Sequence, residues 1–356
     1  LSKITNKFKK VLKDDFIYSM DEENPYIIKE YVSTDCFILN ALLGNGDIFG
    51  GIPKGKRITF AGPSSTGKSL LTAYVAKNYL DNVPKAHLIA FETEGASFYD
   101  MMESINVDSS RVTIIGVNSV EKFRSSISKV LDTITKDRKD DTDDTEYIFL
   151  LDSLGMLPTE KEINDAKDEK YVADMTRAKT IRSIFRIITM DLFKLQIPFL
   201  IVNHSYASMS LYSSQQQGGG EGPKYASDVV IMLTKAKAKE GTEHIGAILS
   251  LTVQKSRFIP ENIKAKVMVL FKKGIMKYSH LLDLGLDLNI IKKEGISYVL
   301  NDVKMKRTDI LKEPEKFYTS ESLEILRNEI LKTWSFGHNS NDEESEDLIS
   351  EVDIDG

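Results

Sequence analysis

The chain reads as an α/β protein with a mixed, mainly parallel sheet, on three observations. Short β-prone apolar runs alternate with segments of helical period from about residue 58 to residue 202, the pattern of crossover connections. Several of those runs end in polar or acidic groups, at Glu92 and Glu94, at Asp152 and at Asn203-His204. Open α/β sheets place ligand-binding groups at such ends. The first run, "RITF", enters a glycine-bounded turn that leads into a helix.

Each element follows in order. "KITNKFKKVLK" is basic and amphipathic and reads as a docking or surface helix. A mixed segment then runs to about Asn45, and "GDIFGGIPKGK" marks an entry turn through its glycines and proline. Strands are expected over 58–60, 86–91, 112–117, 147–151, 199–202, 229–233, 247–253 and 266–270, and helices over 68–80, 98–105, 120–135 and 173–195. The later strands have shorter links and read as an antiparallel extension. The stretch 136–146, "KDRKDDTDDTE", is a solvated loop. After residue 281 comes a lysine-rich region with a strand signal at "ISYVL" and a helix at "SESLEILRNEILKTW". The expected division is an N-terminal segment over 1–49, a core over 50–280, a small C-terminal α/β domain over 281–338 and an acidic tail over 339–356.

Composition sets the outer limits. The 356 residues suffice for one large domain with smaller appendages. No apolar run reaches bilayer-spanning length, and no signal-peptide pattern opens the chain. The single cysteine, Cys36, rules out a disulfide framework and a cysteine-based zinc site, and suits a reducing cytoplasm. The formal net charge is −6, but the tail holds eight acids and no lysine or arginine, so the rest of the chain carries +2. The tail reads as a disordered, solvating segment, and the body stays open to anionic partners.

Gly62-Pro63-Ser64-Ser65-Thr66-Gly67-Lys68-Ser69 is a full match to G-x-x-x-x-G-K-[ST]. Its glycines let successive N–H groups converge on one concavity, and the following helix points its positive end there. Lys68 is placed to reach the β- and γ-phosphates of a nucleoside triphosphate, and the Ser69 hydroxyl to take one position on Mg²⁺. Asp152, closing "YIFLLD", is the expected second Mg²⁺ group, with Ser153 as a helper. Hydrolysis also requires a group that orients or deprotonates water. "HLIAFETEG" offers Glu92 and Glu94, which strand alternation puts on one side, so spacing does not choose between them. Asn203 and His204 are placed to touch a γ-phosphate. The irregular, cation-free stretch 205–223 that follows reads as a nucleotide-gated loop.

The ordered set "GPSSTGKS", "FETEG", "LLDSLG", "DMTRAKTIRSIFRII", "IVNHSY", "GGGEGPKYASD", "VQKSR" and "GIMKYSHLLDLGLDL" resembles the RecA-type recombinases, most closely the UvsX branch of bacteriophage recombinases. The likeness covers about residues 35–300 and is most specific over 150–228. It implies a RecA-like P-loop ATPase core with ATP and Mg²⁺. By position it makes Lys68 and Ser69 the P-loop lysine and metal ligand, and Asp152 the second-strand carboxylate. It also makes Glu94, rather than Glu92, the activator of water, and His204 the γ-phosphate sensor. Lys255 and Arg257 match a basic pair that a neighbouring protomer donates across the interface, in the manner of an arginine finger. The position of the family's adenine-stacking tyrosine is Met101, with Phe98 and Tyr99 as nearby rings. Two loops are implied to line single-stranded DNA: 158–170, leading into the helix that bears Arg177, and 205–222. The second has no cations, so we expect backbone N–H groups at Gly218, Gly219 and Gly220 and an apolar wedge from Leu211 and Tyr212. Phosphate contacts are then expected from Lys170 and Arg177.

The implied function is a DNA-dependent ATPase that polymerises head to tail on single-stranded DNA, with its N-terminal segment packed on the neighbour. Such a filament pairs its strand with homologous duplex in recombination and repair. The expected partners are single-stranded DNA, homologous double-stranded DNA, further copies of the chain, a recombination mediator and a single-strand-binding protein. No membrane is expected, and the setting is the cytoplasm, that of the host for a phage protein. The competing reading is a ring motor such as a replicative helicase, which wants a helical N-terminal domain that the residues before Gly50 are too few to form. The intact Lys68, Ser69, Glu94 and Asp152 argue against a silent mediator, and the lack of an arginine-rich lid argues against a metabolic kinase. Lys292, Lys293, Lys304, Lys306 and Arg307 are expected to capture duplex DNA.

Overall fold

A computed structural model describes residues 3–12, 17, 19, 28–95, 97–142, 144–168, 176–207, 215–217 and 227–334. A short pair, β1 (Tyr31–Val32) and β2 (Ile52–Pro53), precedes the main sheet. The sheet contains β3 (Arg57–Gly62), β4 (Ala86–Glu92), β5 (Val112–Gly116), β6 (Glu146–Asp152), β7 (Phe199–Ala207), β8 (Gln215–Gln217) and β9 (Val229–Glu240). It continues with β10 (Glu243–Ser256), β11 (Lys264–Leu270) and β12 (Gly274–Ile275). Six strands run parallel in the order β9-β3-β7-β6-β4-β5, and β10, β11 and β12 extend the β9 side antiparallel. Every strand expected between residues 58 and 270 is present.

Alternating side chains of the central strands feed two cores. Leu88, Ala90, Ile148, Leu150 and Leu200 join the side built with α2 (Phe37–Leu43), α3 (Lys68–Asn82) and α4 (Ser97–Ser104). Ile89, Phe91, Phe149, Leu151, Phe199 and Ile201 join the side built with α5 (Val120–Lys139), which precedes α6 (Glu160–Lys167), and α7 (Arg177–Lys194). Burial on both faces explains why these strands read as continuous apolar runs. Phe199 sits centrally in the second core, fully buried, with its ring centroid 6.2 Å from Phe149 and Phe185 and 6.4 Å from Phe123. Phe199→Ala is expected to cost about 3–5 kcal/mol of stability, read as a lowered midpoint in a urea titration with little change in slope.

The structure departs from the sequence reading in three places. "FILNALL" forms α2, wholly buried, and Val32, Ile48 and Ile52 lie in the same core. Residues from about 30 onward are therefore built into the core rather than into an N-terminal appendage; apolar residues on every side mark a buried helix, not an amphipathic one. The stretch 158–170 is not all loop, because Thr159 and Glu162 form a capping box that starts α6. β7 runs past His204 to Ala207, where β8 returns antiparallel, so 205–207 and 215–217 form a hairpin rather than irregular chain. The expected small C-terminal α/β domain is present, and its Leu281, Leu284, Leu300, Phe317, Leu326 and Trp334 share one hydrophobic cluster with α2 and α3.

That region holds a three-stranded antiparallel sheet, β13 (Lys292–Glu294), β14 (Ser297–Leu300) and β15 (Val303–Lys306), and a helix, Ser320–Trp334. Register puts Lys292 opposite Val299 and Val299 opposite Lys304, with Lys306 two residues on, so these three lysines share one face. Lys293 pairs with buried Tyr298 and belongs to the other face. Lys304 pairs with Glu294 at 2.6 Å, and Arg307 lies 3.5 Å from Asp283. The five expected duplex-capturing cations are thus not one patch. Among the described residues, no helix is long and apolar enough to cross a membrane. The acidic tail lies outside them.

Candidate nucleotide site

The turn after β3 carries Gly62 to Ser69, the residues expected to bind phosphate, at the carboxyl end of the sheet. Gly67 adopts φ +84°, the left-handed conformation that glycine takes without steric cost, immediately before α3. At Gly62, a Cβ would meet the Leu233 carbonyl oxygen at 2.6 Å, so only glycine lets the turn start against β9. Ser64 and Ser65 are exposed at the rim, and Ser65 also has positive φ, 61°. Thr66 Oγ1 and Lys68 Nζ both donate to the Pro63 carbonyl, at 2.8 and 2.7 Å. Burial depresses the Lys68 pKa, against the pull of Asp152 and Glu94.

Register brings the other groups to the same level. Gly62 pairs with His204, and Glu92 with Asp152, on adjacent strands in the order β3-β7-β6-β4. Asp152 accepts a hydrogen bond from Ser69, and burial raises its pKa to about 6, with Glu94 adding to the rise. An oxygen-donor pair at the mouth of a phosphate cradle suits a hard cation such as Mg²⁺. The cradle of N–H groups, the lysine and this pair fit a nucleoside triphosphate with its metal.

The structure separates the two glutamates. β4 ends at Glu92, so strand alternation stops there, and the Glu92 carboxylate accepts from the N–H groups of Glu94 and Gly95 at 2.9 and 2.7 Å. It holds the turn. Glu94 is exposed, accepts from Ser153 Oγ at 3.1 Å and lies 3.6 Å from His204 Nε2. Burial, with Lys68 nearby, lowers the His204 pKa despite Glu94, so the ring is neutral at pH 7. Thr93, which the sequence reading passed over, binds this corner together. Its N–H and hydroxyl donate to the Asp152 carbonyl, and its Oγ1 accepts from Ser153 N at 2.8 Å.

Two expectations change. Arg177 does not stand out as a phosphate contact: its guanidinium donates to the carbonyls of Leu154, Gly155 and Leu157 at 2.8–3.2 Å. It organises the turn after Asp152, where Gly155 lies against His204. The exposed cations of α7 are Lys179, Arg182, Arg186 and, at its C-terminal end, Lys194. Phe98 is buried, because the helical period of α4 turns Phe98 and Met102 inward. Met101 is part-buried against the core, and Tyr99, exposed, lines a cavity of about 630 Å³ bordered by Met102, Val107, Val112 and Ile114 and by no P-loop residue. Lys170, Leu211, Tyr212, Gly218, Gly219 and Gly220 lie outside the described residues.

Lys255 and Arg257 occupy the opposite end of the sheet. Lys255 pairs with Val230, level with Thr59, and Arg257 N donates to the Asp228 carbonyl below it. At about 3.3 Å per residue, Lys255 is about 20 Å from Leu249, the residue beside Gly67. Within one chain these cations do not reach the cradle.

A phosphate cradle at the carboxyl end of a parallel sheet, with carboxylates closing the neighbouring strands, defines a P-loop nucleotide-binding protein. Comparison narrows the class: the family model for the RecA N-terminal domain matches residues 1–276, and the chain belongs to that family. It is 36% identical over 265 residues to the "Recombination and repair protein" of Enterobacteria phage T4, across 74% of this chain and 66% of that protein, just under two thirds of the relative's length. It is 26% identical over 313 residues to the RecA protein of Wolinella succinogenes, across 86% of this chain and 83% of the relative. To the RecA protein of Helicobacter acinonychis it is 25% identical over 278 residues, across 77% and 75%. These matches are to RecA-family proteins and do not favour the ring-motor reading.

Proposed function

We propose that the chain is a DNA-dependent ATPase that assembles head to tail on single-stranded DNA and exchanges that strand with homologous duplex. The observation that carries the reading is the split site: a complete phosphate cradle with Glu94 and His204 at one end of the sheet, and Lys255 with Arg257 at the other. A repeating head-to-tail contact brings the second set to the first and, being non-closing, builds a helix of copies. α1 (Lys3–Leu12) exposes Ile4, Phe8, Val11 and Leu12 beside its lysines, and suits packing on a neighbour.

Each residue then has a task. Lys68 and the α3 N-terminus hold phosphate charge. Ser69 and Asp152 would hold Mg²⁺, which when bound neutralises charge on the phosphate oxygens. Glu94 orients water and accepts its proton. His204 senses the γ-phosphate and passes the state along β7 into the hairpin at 205–207, toward the second DNA-lining loop. In place of Arg177, Lys179, Arg182 and Arg186 supply phosphate contacts along with Lys170. A mediator and a single-strand-binding protein would act at assembly, and the setting would be the cytoplasm of a phage-infected host.

Steady-state ATP hydrolysis is expected to rise at least about tenfold with long unstructured single-stranded DNA and to stay low with oligonucleotides that seat a single protomer. Hydrolysis indifferent to DNA would sink the reading. For duplex capture, the triple variant Lys292→Ala, Lys304→Ala, Lys306→Ala is expected to weaken double-strand binding by about tenfold at low salt and to reduce its salt dependence. Lys293→Ala, on the opposite face, is expected to change little. Filter binding with duplex and single-stranded probes reads both.

A further inference from the structure

Where β9 begins, Ser227 and Asp228 join three parts of the protein. Asp228 is nearly fully buried, its side chain 4% exposed. Its carboxylate accepts from Arg57 N and Nε, both at 3.0 Å, and from Arg57 Nη2 at 3.2 Å. Arg57 opens β3, the strand that delivers the phosphate-binding turn, and its Nη1 also donates to Thr189 on α7. The second carboxylate partner is Arg257, whose Nε lies 3.3 Å from Oδ1. Arg257 N donates to the Asp228 carbonyl at 3.1 Å, and Lys255 Nζ donates to the Ser227 carbonyl at 2.8 Å. The Ser227 hydroxyl meets Thr59 Oγ1 at 2.6 Å, which pins the same corner to β3.

The two arginines are held differently. Arg57 is buried, and its Nε, Nη1 and Nη2 are all engaged. Arg257 is 59% exposed and meets Asp228 through Nε, while its Nη groups have no hydrogen-bond partner among the described residues. A guanidinium gripped at Nε by a fixed carboxylate keeps its outer edge aimed at solvent, the edge that makes paired bonds to phosphate oxygens. A bulge between Val253 and Lys255 turns β10 at the same point, a device that re-aims a side chain. The anchor under both arginines is one buried carboxylate. Burial by itself would raise its pKa, but the charge and hydrogen bonds of Arg57, with Arg257, hold it below the usual carboxylate range.

We propose that Asp228 is a positioning residue for hydrolysis in the neighbouring protomer: it aims Arg257, and through the Ser227 carbonyl steadies Lys255, toward the next copy's nucleotide. This rests on the split-site reading above. It also explains why the chain enters β9 through a buried acid: the strand that follows the second DNA-lining loop is tied to the pair of cations that act on the neighbour. A shift of about 1 Å in such groups is enough to cost about a hundredfold in rate.

The test uses Asp228→Asn, which keeps shape and removes charge. DNA-stimulated kcat is expected to fall by about ten- to a hundredfold, with KM for ATP and binding of a fluorescent ATP analogue unchanged, because the variant's own cradle is intact. A purely structural lesion would lower binding and kcat together. Mixing then assigns the direction. Asp228→Asn protein mixed with Lys68→Ala protein should regain activity, since the second supplies intact cations to the first's cradles. Mixed with Lys255→Ala/Arg257→Ala protein it should not. If Asp228→Asn does not fold, Arg57→Gln/Asp228→Asn replaces the buried pair with two amides and enters the same mixtures. Absence of rescue by Lys68→Ala, under conditions where Lys255→Ala/Arg257→Ala protein is rescued, overturns the role of Asp228 alone. Absence of rescue for both overturns the split site, and this proposal with it.

Discussion

Glu94→Gln is expected to lower kcat for ATP hydrolysis by about a hundred- to ten-thousandfold, the range for loss of a positioned general base. That is about 3–5.5 kcal/mol of transition-state stabilisation. The amide keeps the size of the side chain and can still accept from Ser153, so the corner formed by Thr93, Ser153 and Asp152 should persist. Nucleotide binding should therefore be retained, and DNA should stay bound longer because the step that loosens the assembly is blocked. The contrast is Glu92→Gln. Its carboxylate receives two backbone N–H groups of the turn, so loss of its charge should loosen Glu94 indirectly, with a smaller fall in kcat and a measurable loss of stability. Single-turnover hydrolysis and equilibrium nucleotide binding separate the cases. Equal activity of Glu94→Gln and the parent protein would remove Glu94 from the chemistry.

Lys255→Ala/Arg257→Ala is expected to be as damaging, about a thousandfold or more, if the pair stabilises charge on the transferred phosphoryl group as an arginine finger does. The sheet decides what accompanies the loss. Both residues sit at the far end from the cradle, so the double variant should bind nucleotide normally. Mixed in equal amounts with Lys68→Ala protein, which lacks the cradle lysine but keeps the cations, it should regain activity. With random assembly, about a quarter of junctions would join an intact cradle to an intact cation pair. Neither variant alone should turn over. Additive, unrescued loss in the mixture would mean that the cations act within their own chain, against the distance between the two sets.

How much of this was legible beforehand depended on how local the determinant was. The parallel strands announced themselves as apolar runs because both faces are buried, and the cradle because its glycines are required by backbone geometry within eight residues. α2 escaped notice, since a helix apolar all round has no periodicity to read. The hairpin beyond His204 escaped because its two arms are separated by seven residues. The five C-terminal cations looked like one patch until strand register divided them between faces. Arg177 looked like a phosphate contact by residue type; what its donors touch depends on the carbonyls of a turn twenty residues upstream.

The sequence by itself determined the layered α/β architecture, the phosphate cradle of Gly62 to Ser69 and the gathering of Asp152, His204 and the Glu92/Glu94 pair at one end of the sheet. Each rests on short-range pattern: periodicity, turn-forming glycines, and polar groups closing apolar strands. Tertiary structure supplied the physical reason for the resemblance's choice of Glu94 over Glu92: where β4 stops pairing and which N–H groups the turn presents. It alone placed Lys255 and Arg257 at the far end of the sheet, because two antiparallel strands carry the chain back there. And it alone joined Arg57 to Asp228 across 171 residues: a buried carboxylate is stable only with a partner, and the identity of that partner is a matter of packing rather than spacing.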